Sequence, residues 1–174
     1  MSKRRNFLKS ATALGAATLL HQTGWSNTPT VQPIAKIKPK RLQTGDTIGL
    51  VAPGFALDTE SIYLAVDTLK KMGFKAFYTD RIEGNHGYFS NTDEERAKDI
   101  NEMFANPDID GILCARGGYG CTRILDLLDY ETIANNPKAF IGFSDITALI
   151  NTFYKKTGLV CFHGPVGKTL DDEY

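Results

Sequence analysis

From Thr47 onward, apolar runs of strand length alternate with stretches in which apolar residues recur every three or four positions. That alternation limits the fold more than any other feature of the chain. Thr47 to Ala52 is an apolar strand ended by Pro53-Gly54, and Ile62, Val66, Leu69 and Met72 then mark one face of a helix closed by Gly73. Phe74 to Tyr78 is a second strand. After a polar loop through Gly84-Asn85-His86-Gly87, Thr92 with Glu95 three residues on forms a capping-box start for a helix through Phe104. Gly111 to Ala115 is a third strand, followed by Arg116-Gly117-Gly118-Tyr119-Gly120 and a helix carrying Ile124, Leu125 and Leu128. Ala139 to Gly142 is a fourth strand, Asp145 to Lys156 a helix stopped by Gly158, and Leu159 to Phe162 a fifth strand.

Alternating strands and helices imply right-handed crossovers and a parallel sheet covered on both faces, an α/β fold of the flavodoxin-like or Rossmann-like three-layer kind. In such sheets ligands bind beyond the carboxyl ends of the strands. That rule brings Pro53-Gly54, Arg116 to Gly120, Phe143 to Asp145 and His163-Gly164-Pro165 to one edge.

The N-terminus reads as an address. Lys3-Arg4-Arg5-Asn6-Phe7-Leu8-Lys9 is a twin-arginine stretch, and Ala11 to Leu20 is an apolar run too short to span a bilayer. Residues 1–25 are therefore expected to be an export signal, and no clean A-x-A cleavage site follows. The expected destination is the periplasm, or the cytoplasm if the signal does not function. Residues 26–43, with Pro29, Pro33 and Pro39, read as a linker outside the fold, and 44–167 as the α/β domain. No stable membrane insertion is expected.

Formal net charge is zero over 174 residues, so nothing in the bulk charge points to nucleic acid. Three cysteines, Cys114, Cys121 and Cys161, with no CxxC spacing, argue against a disulfide framework or a zinc site and are read as packing residues.

Two segments carry chemistry. In Gly142-Phe143-Ser144-Asp145-Ile146-Thr147, a serine between strand and helix can project its hydroxyl from the sheet edge, although the G-x-S-x-G pattern is absent. The same serine can equally be the N-cap of the next helix. In Arg116-Gly117-Gly118-Tyr119-Gly120, three glycines in four positions let backbone amides approach a ligand, as a phosphate cradle or an oxyanion hole; a tight turn is the plainer alternative. Read together on neighbouring strands about 4.8 Å apart, they give the layout acyl transfer needs. Arg116 is placed to meet a substrate carboxylate, Tyr119 stands in the same loop, and His163 is either a base for Ser144 or a loop anchor. His86 lies in a polar loop and is expected to be solvated.

With Arg116-Gly117-Gly118-Tyr119-Gly120 and Gly142-Phe143-Ser144-Asp145-Ile146-Thr147 in order, and Ile48 to Pro53 and His163-Gly164-Pro165 flanking them, the chain resembles the LD-carboxypeptidase family from Lys38 to Gly167. That family includes muramoyl-tetrapeptide carboxypeptidases and microcin-immunity peptidases. The resemblance implies a serine peptidase with a Ser-Glu-His triad in which Ser144 matches the nucleophile. It implies an oxyanion hole of the Asp145 amide and an amide of the Gly117-Gly118 pair; Arg116, Tyr119 and His163 are expected to bind substrate from their places on the same edge. The implied substrate is a muropeptide or short peptide, from which terminal D-alanine is released. No metal or organic cofactor is implied, and a homodimer is compatible with the family. The family's Glu and His belong to a C-terminal domain, which residues 168–174 would begin, so this chain is expected to be the N-terminal domain of a two-domain enzyme and inactive alone. His163 matches a different family position from the triad histidine. A non-catalytic module binding cell-wall peptide or an anion is the alternative, and a phosphate-binding flavodoxin-like domain a third.

Overall fold

The structure, a computed structural model, describes residues 34–170. The twin-arginine stretch and the last four residues lie outside them. The strands are β1 (Thr47–Val51), β2 (Lys75–Phe77), β3 (Gly111–Cys114), β4 (Ala139–Gly142) and β5 (Phe162–His163). They form one sheet in the order β2-β1-β3-β4-β5, with every pair parallel. This is the flavodoxin-like order, in which the chain turns outward to β2 and then returns across β1 to β3. The crevice therefore opens between the carboxyl ends of β1 and β3, next to β4.

Among the described residues four α-helices cover the sheet: α1 (Thr59–Lys71), α2 (Asp93–Ala105), α3 (Tyr130–Asn135) and α4 (Thr147–Thr157). Successive strand residues point to opposite faces, so Ile112 and Leu113 of β3 fall in different cores. One core joins Ile112 and Phe140 to Ile100, Met103 and Phe104 of α2 and Leu149 and Phe153 of α4. There Phe104, Phe140 and Phe153 meet at ring-centre distances of 4.9–6.1 Å. The other core joins Ile48, Leu50 and Leu113 to Ile62, Ala65 and Leu69 of α1. Both faces are covered, as the alternation requires.

Local chemistry sets the helix ends. Asp58 caps α1 by accepting from the Ser61 amide at 2.7 Å, and Thr92 caps α2 by accepting from Glu95. Gly158 ends α4 in the left-handed conformation at φ 82°.

Four expectations are corrected. Met72, expected on the inner face of α1, is the exposed residue that ends the helix. The segment after the glycine loop is a 3-10 turn, Cys121–Leu127, and not an α-helix; Leu128 is extended, and Asp129 starts α3 afresh by accepting from the Thr132 amide. The fifth strand is shifted to Phe162–His163, because Leu159 pairs instead with Ile37. Finally, the stretch read as a linker is part of the fold from Ile37 onward: Ile37 donates to Gly158 O and accepts from Val160 N, both at 2.9 Å, and Leu42 packs against the α1-side core. The chain entering the domain thus covers backbone that would otherwise stand open beside the edge strand.

Candidate active site

Ser144 follows β4 and has φ 64°, the sole non-glycine residue at positive φ among the described residues. Such a conformation costs on the order of 1–3 kcal/mol and persists where the surroundings enforce it. It also rules out the plainer role considered for this serine, since an N-cap is extended and bonds an amide of the first turn. Neither the 3-10 turn Ser144–Ile146 nor α4 is capped by its side chain. Strain at a strand-to-helix junction is the geometry that lifts a nucleophilic hydroxyl clear of its helix.

The glycine loop meets this serine. A methyl group on Gly117 would lie 3.1 Å from Ser144 Cβ and 3.5 Å from its Oγ, so the approach depends on glycine. Gly117 O accepts from the Phe55 amide at 3.2 Å. Because C=O and N–H of a trans peptide point in opposite directions, the Gly118 amide is turned away from Phe55, and it has no hydrogen-bond partner among the described residues. Gly118 itself has φ 121°, and a side chain there would strike the Phe55 ring at 2.0 Å. The Asp145 amide stands in the first turn of the 3-10 segment, where amides lack partners within the helix. Ser144 and the Gly117-Gly118 pair are therefore side by side on the carboxyl edge.

Asp145 contributes more than its amide. Its carboxylate Oδ2 accepts from the Cys121 amide at 2.8 Å, tying the end of the glycine loop to the residue after Ser144. Below the loop lies Arg96 of α2, 2% exposed, which donates to Pro53 O and to Gly120 O and pairs with Asp93. Its guanidinium sits 4.6 Å over the Phe89 ring, and Arg123 lies 5.4 Å over the same ring. Neither role was read from sequence. Arg96 had one signal: it shares the inward stripe of α2 with Ala97, Ile100, Met103 and Phe104, a place where an unpaired charge is costly.

The other candidates are distributed differently. Arg116 donates to Ala56 O at 3.1 Å and lies 4.7 Å over the Phe55 ring, so its guanidinium braces the loop after β1. Tyr119 is 62% exposed and stacks on Phe89 with ring centres 6.2 Å apart. His163 is exposed at the end of β5, edge-on to Phe143 at 6.4 Å, beside a cavity of about 230 Å³ lined by Phe143, His163, Gly164 and Pro165. Its ring makes no hydrogen bond to Ser144 or to any other described residue, neither as a base nor as a loop anchor. His86 is exposed in its loop.

The three cysteines are free thiols. Burial raises the pKa of all three, that of Cys161 to about 12, and Cys121 is raised further by the Asp145 carboxylate beside it. All three thus stay protonated and serve as packing residues. Among the described residues no group of three or more His, Cys, Asp or Glu is placed to hold a metal ion, and no helix is long and apolar enough to cross a membrane.

Comparison with known proteins places the chain in a family. Residues 1–21 match the twin-arginine translocation pathway signal sequence, which marks the chain for export. A probable murein peptide carboxypeptidase of Bacillus subtilis (strain 168) is 40% identical over 138 residues, covering 78% of this chain and 43% of the relative. The murein tetrapeptide carboxypeptidase of Pseudomonas aeruginosa is 36% identical over 124 residues, covering 71% of this chain and 40% of the relative. The crystal structure of an MccF-like protein from Bacillus anthracis superposes with a TM-score of 0.75 at 37% identity, covering 79% of this chain and 43% of that one. The chain thus spans about two-fifths of the length of these relatives. Residues 48–164 match the LD-carboxypeptidase N-terminal domain, and the chain belongs to that family.

Proposed function

We propose that this chain is the nucleophile-bearing domain of a serine-type LD-carboxypeptidase that releases terminal D-alanine from peptidoglycan-derived tetrapeptides in the periplasm. One observation carries the reading: Ser144, strained at φ 64°, stands against a glycine that leaves just enough room for it. In this reading the Ser144 hydroxyl attacks the carbonyl carbon on the L-configured side of the scissile bond. Its proton passes to the base of a Ser-Glu-His triad, whose Glu and His belong, by the family resemblance, to a C-terminal domain. The carbonyl oxygen becomes an oxyanion held by the amides of Asp145 and of the Gly117-Gly118 pair, each donor worth roughly 3 kcal/mol of transition-state stabilisation. D-Alanine leaves with the proton, and water then releases the acyl group from the serine. Arg116, Tyr119 and His163 lie around the peptide in this scheme, and the domain without its triad partners turns over little substrate.

The test is Ser144→Ala in the enzyme that carries this domain. D-Alanine release from muropeptide tetrapeptides is expected to fall by about a thousandfold or more. Release at the unaltered rate overturns the reading.

A further inference from the structure

A loop that donates oxyanion amides must hold them still, and this loop carries glycines at φ 121° and 106°, where the backbone has many accessible states. One peptide unit at its end is held from both sides. The carbonyl of the Gly120–Cys121 peptide accepts from Arg96 Nη1 at 3.3 Å and from the Arg123 amide at 3.1 Å, and its N–H donates to Asp145 Oδ2 at 2.8 Å. Because these two groups point in opposite directions in one plane, a partner at each end leaves the peptide a single orientation. Arg96 and Asp145 are charged, which makes their bonds roughly twice as strong as neutral ones. Arg96 is the immobile end, buried under the loop and fastened also to Pro53 O and Asp93. Asp145 is the end that moves with the nucleophile, since it follows Ser144 directly. The glycine at 120 leaves no slack beneath, because a side chain there would meet the Phe89 ring at 2.5 Å.

We infer that the Asp145 carboxylate is a positioning residue: through the Gly120–Cys121 peptide, braced from behind by Arg96, it sets the amides of Gly117 and Gly118 relative to the Ser144 hydroxyl. This inference rests on the peptidase reading for its catalytic consequence, though not for the geometry. Asp145 thereby serves the oxyanion hole twice, with its amide in the hole and its side chain holding the opposite wall.

Two measurements test it together. In the enzyme that carries this domain, Asp145→Ala is expected to lower kcat about a hundredfold, the order seen when an oxyanion donor is lost, with KM changed by no more than about twofold. Asp145→Asn, whose amide oxygen still accepts from the Cys121 N–H, is expected to recover at least about tenfold of that loss. In ¹⁵N–¹H spectra of the present chain, the Gly117 and Gly118 amide signals are expected to broaden in Asp145→Ala and to stay sharp in Asp145→Asn. If Asp145→Ala does not fold, Asp145→Glu, whose extra methylene misplaces the carboxylate, takes its place with the same expectations. Equal losses in the alanine and asparagine variants, or glycine signals indifferent to both, overturn the inference. Ser144→Ala is assayed alongside: turnover that survives it removes the peptidase reading, while the spectra, which need no turnover, still decide the clamp.

Discussion

Ser144 has two unlike neighbours on the carboxyl edge. On the β3 side the backbone is braced at three points: Gly117 O by the Phe55 amide, the Gly120–Cys121 peptide by Arg96, the Arg123 amide and Asp145, and the loop after β1 by Arg116 on Ala56 O. Aromatic rings fill the space where glycine side chains would be, Phe55 under Gly118 and Phe89 under Gly120. On the β5 side the strand is two residues long, His163 is exposed, and the turn is tied by one backbone bond, Gly164 N to Gly142 O at 3.2 Å. The difference separates two tasks. In the proposed peptidase, groups that stabilise charge are effective when they need no rearrangement, which suits the braced amide side. The β5 side carries a small cavity and a histidine with no hydrogen bond to a described residue, which in the proposed peptidase suits contact with the substrate peptide.

The largest expected effect breaks the rigid side. Gly118→Ala places a methyl against the Phe55 ring at φ 121°, so it should destabilise the domain by about 3 kcal/mol or more, read as a fall in the urea midpoint. A midpoint within error of the parent would mean that the loop yields easily and that the contrast is false. A smaller effect concerns the ionic footing of Arg96. Hydrogen bonds from Arg123 and Arg96 hold the Asp93 carboxyl below its ordinary range. A lowered carboxylate pKa adds stability that is present above the unfolded value of about 3.9 and is lost as pH falls through the folded one. The drop in urea midpoint between pH 7 and pH 3 should therefore be smaller in Asp93→Asn than in the parent. An equal drop would show that Asp93 carries none of the acid sensitivity. The smallest effect sharpens the other side: His163→Ala should change stability by less than about 0.5 kcal/mol, measured as the thermal midpoint. A large loss would place the histidine among the structural braces.

How much was legible in the chain differs between fold and site. The first four strands, the Thr92 cap, the Gly158 stop and the shared carboxyl edge follow from local patterns, because periodicity and capping act within a few residues. Shifted features are those in which distant residues compete: Leu159 leaves the expected strand for Ile37, and the segment after Gly120 tightens into a 3-10 turn. At the site, the serine and the glycine loop stood out by residue type and junction. The bracing did not, since a 3.3 Å bond between Arg96 and Gly120 or a 2.8 Å bond between Asp145 and Cys121 joins positions 24 apart.

Residue order alone determined that this chain makes a parallel α/β sheet, which segments gather at its carboxyl edge, and which serine and glycines stand there. Those properties depend on side-chain period and on glycine's missing Cβ, both written locally. Tertiary structure decided the strand order, the positive φ of Ser144, the use of Arg116 as a brace, and the capture of one peptide between Arg96 and Asp145. These depend on which distant backbone groups are brought within hydrogen-bond reach, and only the folded chain sets those distances.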